Sequence, residues 1–356
     1  MEVERLFVTS TDTIRQVIAC IDRNAKGIAL VVDTERHLLG TITDGDIRRA
    51  ILAGIDPETL VSVLLSCKVG TPYPKPVTAC VGTGRKELFA LMRKYVLRHI
   101  PILDDDGKIM DLVVMDDLLP AHDLPLQAVI MAGGSGTRLG PLTKDLPKPM
   151  LPVGGKPLME RVIEQLRQAG IRRVNVTTHY KPEKIIEHFG NGKAFGVELR
   201  YVNEDRPLGT GGALGLMRTP TEPLLVINGD ILTQVDFRDM LAYHQEHQAD
   251  MTVAVRQYSI KVPFGMVECE GTRIRGLNEK PHMRFLVNAG IYLLEPSVYQ
   301  FIPKGEHFNM TDLIQWLLDA GRIVVSFPII EYWLDIGQHE DYKQAQDDVQ
   351  AGKLKS

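Results

Sequence analysis

From residue 127 onward, short apolar runs alternate with stretches whose apolar residues recur every three or four positions. Residues 128–132 read as a short buried strand, and 157–169 as a helix with Leu158, Val162 and Leu166 at i, i+4 and i+8, stopped by Gly170. The same patterning predicts strands at 173–178, 198–203, 223–228, 250–256 and 286–294, with helices near 181–189, 236–248 and 311–320. Strand–helix alternation of this kind predicts an α/β sheet that is mostly parallel, with ligands beyond the carboxyl ends of its strands.

Upstream the pattern is different, and it repeats. The run Ile28-Ala29-Leu30-Val31-Val32-Asp33 recurs 71 positions later as His99-Ile100-Pro101-Ile102-Leu103-Asp104. At the same offset Thr41–Ile47 meets Leu112–Leu118, and the helical positions Val17, Cys20 and Ile21 fall on Leu88, Leu91 and Met92. One unit thus reads helix, apolar strand, Asp-rich turn, second strand, short helix. In the second copy Asp104-Asp105-Asp106-Gly107 is an aspartate/glycine hairpin signal. Residues 119–126 carry two prolines and no periodicity, and read as a short linker.

This tandem arrangement resembles a pair of CBS domains over residues 1–120, about 1–62 and 63–120. The resemblance implies a nucleotide in the cleft between copies, with Thr43 and Asp46 matching the hydroxyl-x-x-Asp ribose-phosphate signature. The second copy keeps Asp117 but has Val114 where Thr is expected. An alternative reading is that Asp46 and Asp117 cap the helices that follow them.

Composition narrows the class without naming it. The chain has 356 residues, 44% hydrophobic and 24% charged, with a formal net charge of −4. That is enough material for two or three globular domains, and it excludes disorder, collagen-like repeats and coiled coil. No basic excess marks a nucleic-acid binder. The acidic start Met1-Glu2-Val3-Glu4 and the absence of an 18-residue apolar run predict neither a signal peptide nor a membrane span, hence a cytoplasmic protein. Cys20, Cys67, Cys80 and Cys269 lack disulfide-framework or metal-ligand spacing.

Directly after the first strand of the second domain comes Ala132-Gly133-Gly134-Ser135-Gly136-Thr137-Arg138-Leu139. Glycines let backbone N–H groups close on phosphate. Leu139 stands where a dinucleotide fingerprint needs its third glycine, and the Gly-Lys-Ser/Thr of a Walker loop is absent. The loop continues into Leu146-Pro147-Lys148-Pro149-Met150-Leu151-Pro152. Later come Pro207-Leu208-Gly209-Thr210-Gly211-Gly212, Asn228-Gly229-Asp230, Glu279-Lys280-Pro281 and Trp333-Leu334-Asp335-Ile336-Gly337.

On these motifs residues 126–350 resemble the sugar-1-phosphate nucleotidyltransferases. The resemblance implies a Rossmann-like, GT-A-like domain with a mixed, mostly parallel sheet, preceded by the CBS (Bateman) α+β module. It also implies attack of a sugar 1-phosphate on the α-phosphorus of a nucleoside triphosphate. The nucleophile is already anionic, so cations and positioning matter more than a general base. By position in the motifs, Arg138 would meet the triphosphate and Lys148 the reacting phosphates. Glu279, Lys280 and Asn288 would hold the sugar phosphate, although a turn role also suits Asn288. Asp230, ending an apolar strand, and Asp335 would supply hard oxygen ligands for Mg²⁺. Gly209 and Thr210 match the nucleoside-contacting segment.

Glu204 lies five residues before Gly209. A carboxylate can accept from the adjacent N1–H and N2–H of guanine, so it is expected to favour GTP. The Tyr-Trp-Leu-Asp-Ile-Gly ending and the fused CBS pair are similar to glucosamine-1-phosphate guanylyltransferases of legionaminic acid biosynthesis, implying GDP-glucosamine as product. Mannose 1-phosphate, or UTP or dTTP as donor, is the alternative within the class. A nucleotide-sensing protein with a weak transferase domain is the alternative outside it. Both modules commonly self-associate in their families, which implies a homo-oligomer. Asp312 reads as an acid in a helix's first turn, and His244 with His247 as a surface pair.

Overall fold

The computed structural model describes residues 3–24, 26–68, 74–95, 97–118, 123–134 and 136–354. The chain divides into two compact units, 1–122 and 123–356.

In the first unit the repeat is reproduced at the level of individual hydrogen bonds. Helices Ile14–Asn24 and Arg85–Tyr95, strands Ile28–Val32 and His99–Leu103, and strands Leu38–Thr43 and Ile109–Val114 are the paired elements. Ile28 faces Thr43 and His99 faces Val114, with a bulge between Val31 and Val32 in one copy and between Ile102 and Leu103 in the other. Asp33 Oδ1 accepts from the amides of Glu35 and His37, and Asp104 Oδ1 from those of Asp106 and Lys108. The turns then bond to each other reciprocally: Leu38 N–H to Gly107 O, and Ile109 N–H to Arg36 O. Leu30, Val32, Ile109, Leu112 and Val114 share one buried cluster, so each copy completes the other's core. The helix Val61–Cys67 runs across the expected boundary at 62/63.

The second unit is built on a mixed sheet. Its strands are β1 Gln127–Met131, β2 Arg173–Thr178, β3 Glu198–Asn203, β4 Leu224–Asn228, β5 Met251–Lys261, β6 His282–Leu294 and β7 Val324–Ile329. Among the described residues their order is β3-β2-β1-β4-β6-β5-β7. The β3–β2, β2–β1, β1–β4 and β5–β7 pairs are parallel, while β6 runs antiparallel to both neighbours. Adjacent residues of β1 point to opposite faces. Ala128 and Ile130 enter one core with the helix Leu158–Gln168, and Val129 enters the other with Met310–Asp319. Leu158, Met159, Val162, Ile163 and Leu166 are all buried on the first face. At about 1.5–3 kcal/mol for each large apolar side chain removed from water, this stripe fixes the helix against the sheet and leaves the strand ends free for loops.

β2 and β3 match their expected limits. β5 and β6 extend beyond theirs into an exposed two-stranded arm, continued by the hairpin Met266–Glu270 and Arg273–Asn278. The strand β7 and the helix His339–Gln350 were not anticipated. No helix among the described residues is long and apolar enough to cross a membrane.

Candidate active site

β1, β2 and β4 end side by side, with Met131 paired to both Thr177 and Asn228. Their outgoing loops form the site. Ala132 N–H donates to Thr177 O, holding the glycine loop to β2 as it leaves the sheet. Ser135 lies outside the described residues. Gly134 is exposed, with open space where a side chain would be. Gly136 has φ of +65°, and a Cβ there would fall 2.8 Å from Thr143 Cγ2 and 3.3 Å from Lys148 Cβ. Glycine is therefore required for conformation and for space at this position. Thr137 opens the 3₁₀ segment Thr137–Thr143, which carries the exposed Arg138.

Lys148 begins a short 3₁₀ turn with Pro147 before it and Pro149 after it, and it is buried. Its Nζ donates to Asp230 Oδ2 at 2.5 Å. Asp230 leaves β4 through Gly229, whose N–H donates to Met131 O at 2.9 Å. A Cβ on Gly229 would lie 2.7 Å from that oxygen, so the Asn228-Gly229-Asp230 turn depends on glycine to lie this close to β1. Asp230 O in turn accepts from Ile336 N–H, and Ile231 is paired with Asp335 in the small sheet formed by Ile231–Thr233 and Trp333–Asp335.

That sheet brings the two carboxylates together. Solvent reaches Asp335, yet desolvation and the charge of Asp230 raise its carboxyl above the usual range, while Lys148 and Arg138 pull it down and Asp341 pushes it up. Arg138 reaches the same place, with Nη1 3.5 Å from where a Gly337 Cβ would be. Arg138, Lys148, Asp230 and Asp335 therefore converge from four separate segments. The second oxygen of Asp230 is buried without a partner among the described residues. An orphaned carboxylate oxygen beside a second, electrostatically crowded carboxylate fits a hard divalent cation.

Glu204 is in a different environment from the one anticipated. It is buried at 5% exposure, and Oε2 accepts from Leu208 N–H at 3.1 Å. Oε1 lies against the glycine loop, 2.5 Å from where a Gly133 Cβ would stand. Burial raises its carboxyl, opposed by the Leu208 amide, His179 and Thr177. One of the carboxylate's acceptor sites is thus taken by Leu208. Downstream, Gly209 has φ of +78° and packs on Phe308 O and Asn309, while Thr210 Oγ1 accepts from Met310 N–H at 3.0 Å.

Of the expected sugar-phosphate residues, Asn288 sits next to the cluster's segments: Ala289 O accepts from Trp333 Nε1 at 2.9 Å, and a Cβ on Gly290 would fall 2.6 Å from Asn228 Nδ2. Glu279 and Lys280 are exposed in the turn between the hairpin and β6, with Lys280 at φ of +47° and Glu279 Oε2 beside Gly265. Asn288 Oδ1 accepts from Gly290 N–H at 3.0 Å, the local turn role.

In the first unit Thr43 and Asp46 form a capping box at the start of the helix Asp44–Leu52. Asp46 is buried and bonded to Thr43, to Arg49 Nη2 at 2.6 Å and to Lys68 Nζ at 2.8 Å. Burial pushes its carboxyl up, but Lys68, Thr43 and Arg49 overcome this and hold it below the usual range. Asp117 is exposed, 3.9 Å from Lys26 Nζ.

Two further readings are decided by contacts distant in sequence. Asp312 is the third residue of a capping box with Asn309. His244 is not at the surface: it is 1% exposed, between Thr252 Oγ1 at 2.7 Å and Glu295 Oε1 at 3.1 Å. His247 stacks on Tyr243 with ring centroids 4.0 Å apart. Sequence reasoning also missed His179, whose Nδ1 is 2.8 Å from Glu204 O, and Asp341, whose Oδ2 accepts from the amides of Gly337 and Gln338. A polar residue just past the end of β2 was the available signal for the first.

The nucleotidyl transferase family profile covers residues 127–352, and the CBS domain profile covers 1–53 and 70–122. A mannose-1-phosphate guanylyltransferase of Mycobacterium tuberculosis is 34% identical over 236 residues, spanning 64% of this chain and 65% of that relative. A D-glycero-alpha-D-manno-heptose 1-phosphate guanylyltransferase of Aneurinibacillus thermoaerophilus is 32% identical, spanning 63% of this chain and 99% of that relative. Among solved structures, a Bacillus anthracis protein assigned as a glucose-1-phosphate thymidylyltransferase, in complex with sucrose, superposes with a TM-score of 0.53. It shares 26% identity and covers 65% of this chain and 97% of its own.

Proposed function

The chain belongs to the nucleotidyl transferase family, and we propose that residues 127–352 transfer a guanylyl group from GTP to a hexose 1-phosphate, giving a GDP-sugar and pyrophosphate. The observation that carries this reading is the convergence of Arg138, Lys148, Asp230 and Asp335 beside the Gly136 loop. A sugar-phosphate oxygen attacks the α-phosphorus, the bond to the bridging oxygen breaks, and pyrophosphate departs with the electron pair. No proton has to move. The task of the protein is to hold two anions in line and absorb the charge that develops.

Arg138, exposed on its 3₁₀ segment, is free to fork across the departing phosphate oxygens. Lys148 is a buried point charge whose position is fixed by Asp230. A divalent cation, when bound by Asp230 and Asp335, supplies charge neutralisation for the phosphates. Glu279, Lys280 and Asn288 are the proposed sugar-phosphate contacts, the first two from the exposed turn at 279–280 and Asn288 from β6 beside the segments that carry Asp230 and Asp335.

The preference for GTP rests on the two guanylyltransferase relatives and on Glu204, whose carboxylate keeps acceptor capacity beyond the Leu208 amide. Glucosamine 1-phosphate follows from the fused CBS architecture. Mannose 1-phosphate is the second reading, favoured by the M. tuberculosis relative. A nucleotide acting at Thr43 and Asp46 of the CBS pair would have to displace Lys68 and Arg49 from Asp46, and such an exchange is the proposed route of regulation.

The test is pyrophosphate release across GTP, UTP, dTTP and CTP with glucosamine, mannose, heptose and glucose 1-phosphates. Turnover with GTP and one of the first three sugars is expected. Release confined to UTP or dTTP would overturn the guanylyl reading. No release with any pair, alongside tight nucleotide binding, would replace catalysis with nucleotide sensing.

A further inference from the structure

We propose that Tyr180 and Lys181, on the loop leaving β2, are positioning residues for the transfer: they grip the backbone of residues 143–144 and through it hold the glycine loop and Lys148 in register. The inference rests on the nucleotidyl-transfer reading above and gives these two residues no contact with the reacting atoms.

The glycine loop and Lys148 meet at Thr143. This residue is buried, and its Oγ1 lies 2.9 Å from Gly136 O and 3.2 Å from Gly140 O, closing the turn that carries Arg138. Its Cγ2 stands 2.8 Å from where a Gly136 Cβ would be, and Lys148 Cβ stands 3.3 Å from the same point. A shift of Thr143 would therefore move the left-handed corner of the glycine loop, the Arg138 turn and the approach to Lys148. The chain just beyond it, Lys144 and Asp145, is exposed, and Lys144 N–H makes a long bond of 3.4 Å to Pro141 O. An exposed connection of this kind opens easily unless it is tied from outside.

The tie comes from a segment 37 residues on. Tyr180 Oη lies 3.1 Å from Thr143 O and 3.0 Å from Lys144 O, so its one proton is shared between two successive carbonyls. Lys181 Nζ donates to the same Lys144 O at 2.5 Å and lies 3.7 Å from Asp145 Oδ1. Lys181 makes this reach from a left-handed backbone, with φ of +49°, immediately before the helix Pro182–Phe189. A lysine is strained there, and such strain persists where the surroundings over-determine it. Both residues follow directly on the buried end of β2, Thr177 and Thr178, so the grip is anchored in the sheet. Asp230 fixes the ammonium of Lys148, while Tyr180 and Lys181 fix the chain that leads to it. Small displacements of phosphate-binding groups cost rate without costing the fold.

The experiment measures kcat, both KM values, GTP Kd and Tm on the full chain for Y180F, K181M, K181R and K181G. Y180F removes the hydroxyl alone and K181M the cation alone; each should lower kcat/KM for GTP by about tenfold and raise GTP Kd. KM for the sugar 1-phosphate and Tm should stay near their wild-type values. K181R can still donate to Lys144 O and should recover most of the loss. K181G removes the cation but also relieves the left-handed strain, so it should melt near the wild type and yet be as impaired as K181M. Wild-type kinetics in Y180F and K181M would overturn the proposal. Losses that follow Tm from variant to variant, with K181G active, would make the two residues merely structural and overturn it as well. Failure of the transfer reading has a separate signature, a wild type that releases no pyrophosphate with any sugar phosphate. GTP Kd then decides the grip by itself: a rise in Y180F and K181M upholds it, and unchanged values overturn it.

Discussion

Lys148 Nζ donates to Asp230 Oδ2 at 2.5 Å, while Oδ1 of the same carboxylate is buried with no partner among the described residues. The pair joins two loops 82 residues apart in sequence. It settles one charge by ion pairing and leaves the other oxygen available to a ligand.

Removing the lysine separates these two roles. K148M should lower kcat for pyrophosphate release by roughly 10²–10³-fold, the scale for losing one pre-positioned charge at a reacting phosphate. It should also destabilise the domain by about 1–3 kcal/mol by leaving a half-buried carboxylate unpaired. Urea titration beside turnover checks both. Unimpaired kcat would remove Lys148 from the reacting phosphates.

Asp335 gives a prediction of opposite sign for stability. Its carboxyl is raised in the folded protein by desolvation and by Asp230. Its contribution is therefore full below the unfolded value of about 3.9, and it is lost as pH rises through the higher folded value. At neutral pH the ionised Asp335 is a liability that a cation relieves. D335N should melt no lower than wild type without metal. Mg²⁺ at a hundredfold excess over Kd should stabilise the wild type by about 2.7 kcal/mol and leave D335N unmoved. Equal stabilisation of both proteins would place the cation elsewhere.

The limits of β2 and β3 were legible because each alternates apolar and polar residues between turns, Val174 and Val176 in one and Leu199 and Tyr201 in the other. The cluster's members were legible because the glycine loop, Lys148, Asp230 and Asp335 lie in recognisable motifs. What each side chain bonds to was not. Glu204 accepts from Leu208 N–H and fills the space beside Gly133, and no local pattern records that space. β5 and β6 were drawn too short because their distal halves lie on an exposed arm, where Tyr258, Ile260 and Phe285 are apolar without entering a core. His244 was misread for the converse reason: Thr252 and Glu295, which bury it, lie on other segments.

In the first unit Asp46 makes a stability prediction with the usual sign. Its folded value is lowered, so its contribution is present above the unfolded value of about 3.9 and is lost as pH falls through the lower folded value. D46N should cost about 1–2 kcal/mol at pH 7 and flatten the fall in Tm below pH 4. An unchanged acid limb would show that Lys68 and Arg49 do not bind the carboxylate in solution.

Gly136 tests the loop's conformation independently of its charges. G136A forces a Cβ into a left-handed residue and to within 2.8 Å of Thr143 Cγ2. The backbone cost alone is about 1–2 kcal/mol, so nucleotide Kd should rise by roughly five- to thirtyfold, with Tm nearly constant if the strain is released by local loop rearrangement. A G136A protein with wild-type Kd would show that the loop does not close on the nucleotide in this form.

His244 extends the argument to pH stability away from the site. Burial lowers its pKa despite the opposing influence of Glu295 and Asp250, and Thr252 bonds its other nitrogen. The unfolded chain therefore takes up a proton near pH 6.5 that the folded chain resists. Stability is full above that value and is lost as pH falls through the folded one. H244Q cannot titrate. It should cost about 1–3 kcal/mol at pH 7, yet lose less between pH 7 and 5.5 than the wild type does. Parallel slopes for the two proteins would mean that the fall belongs to other groups.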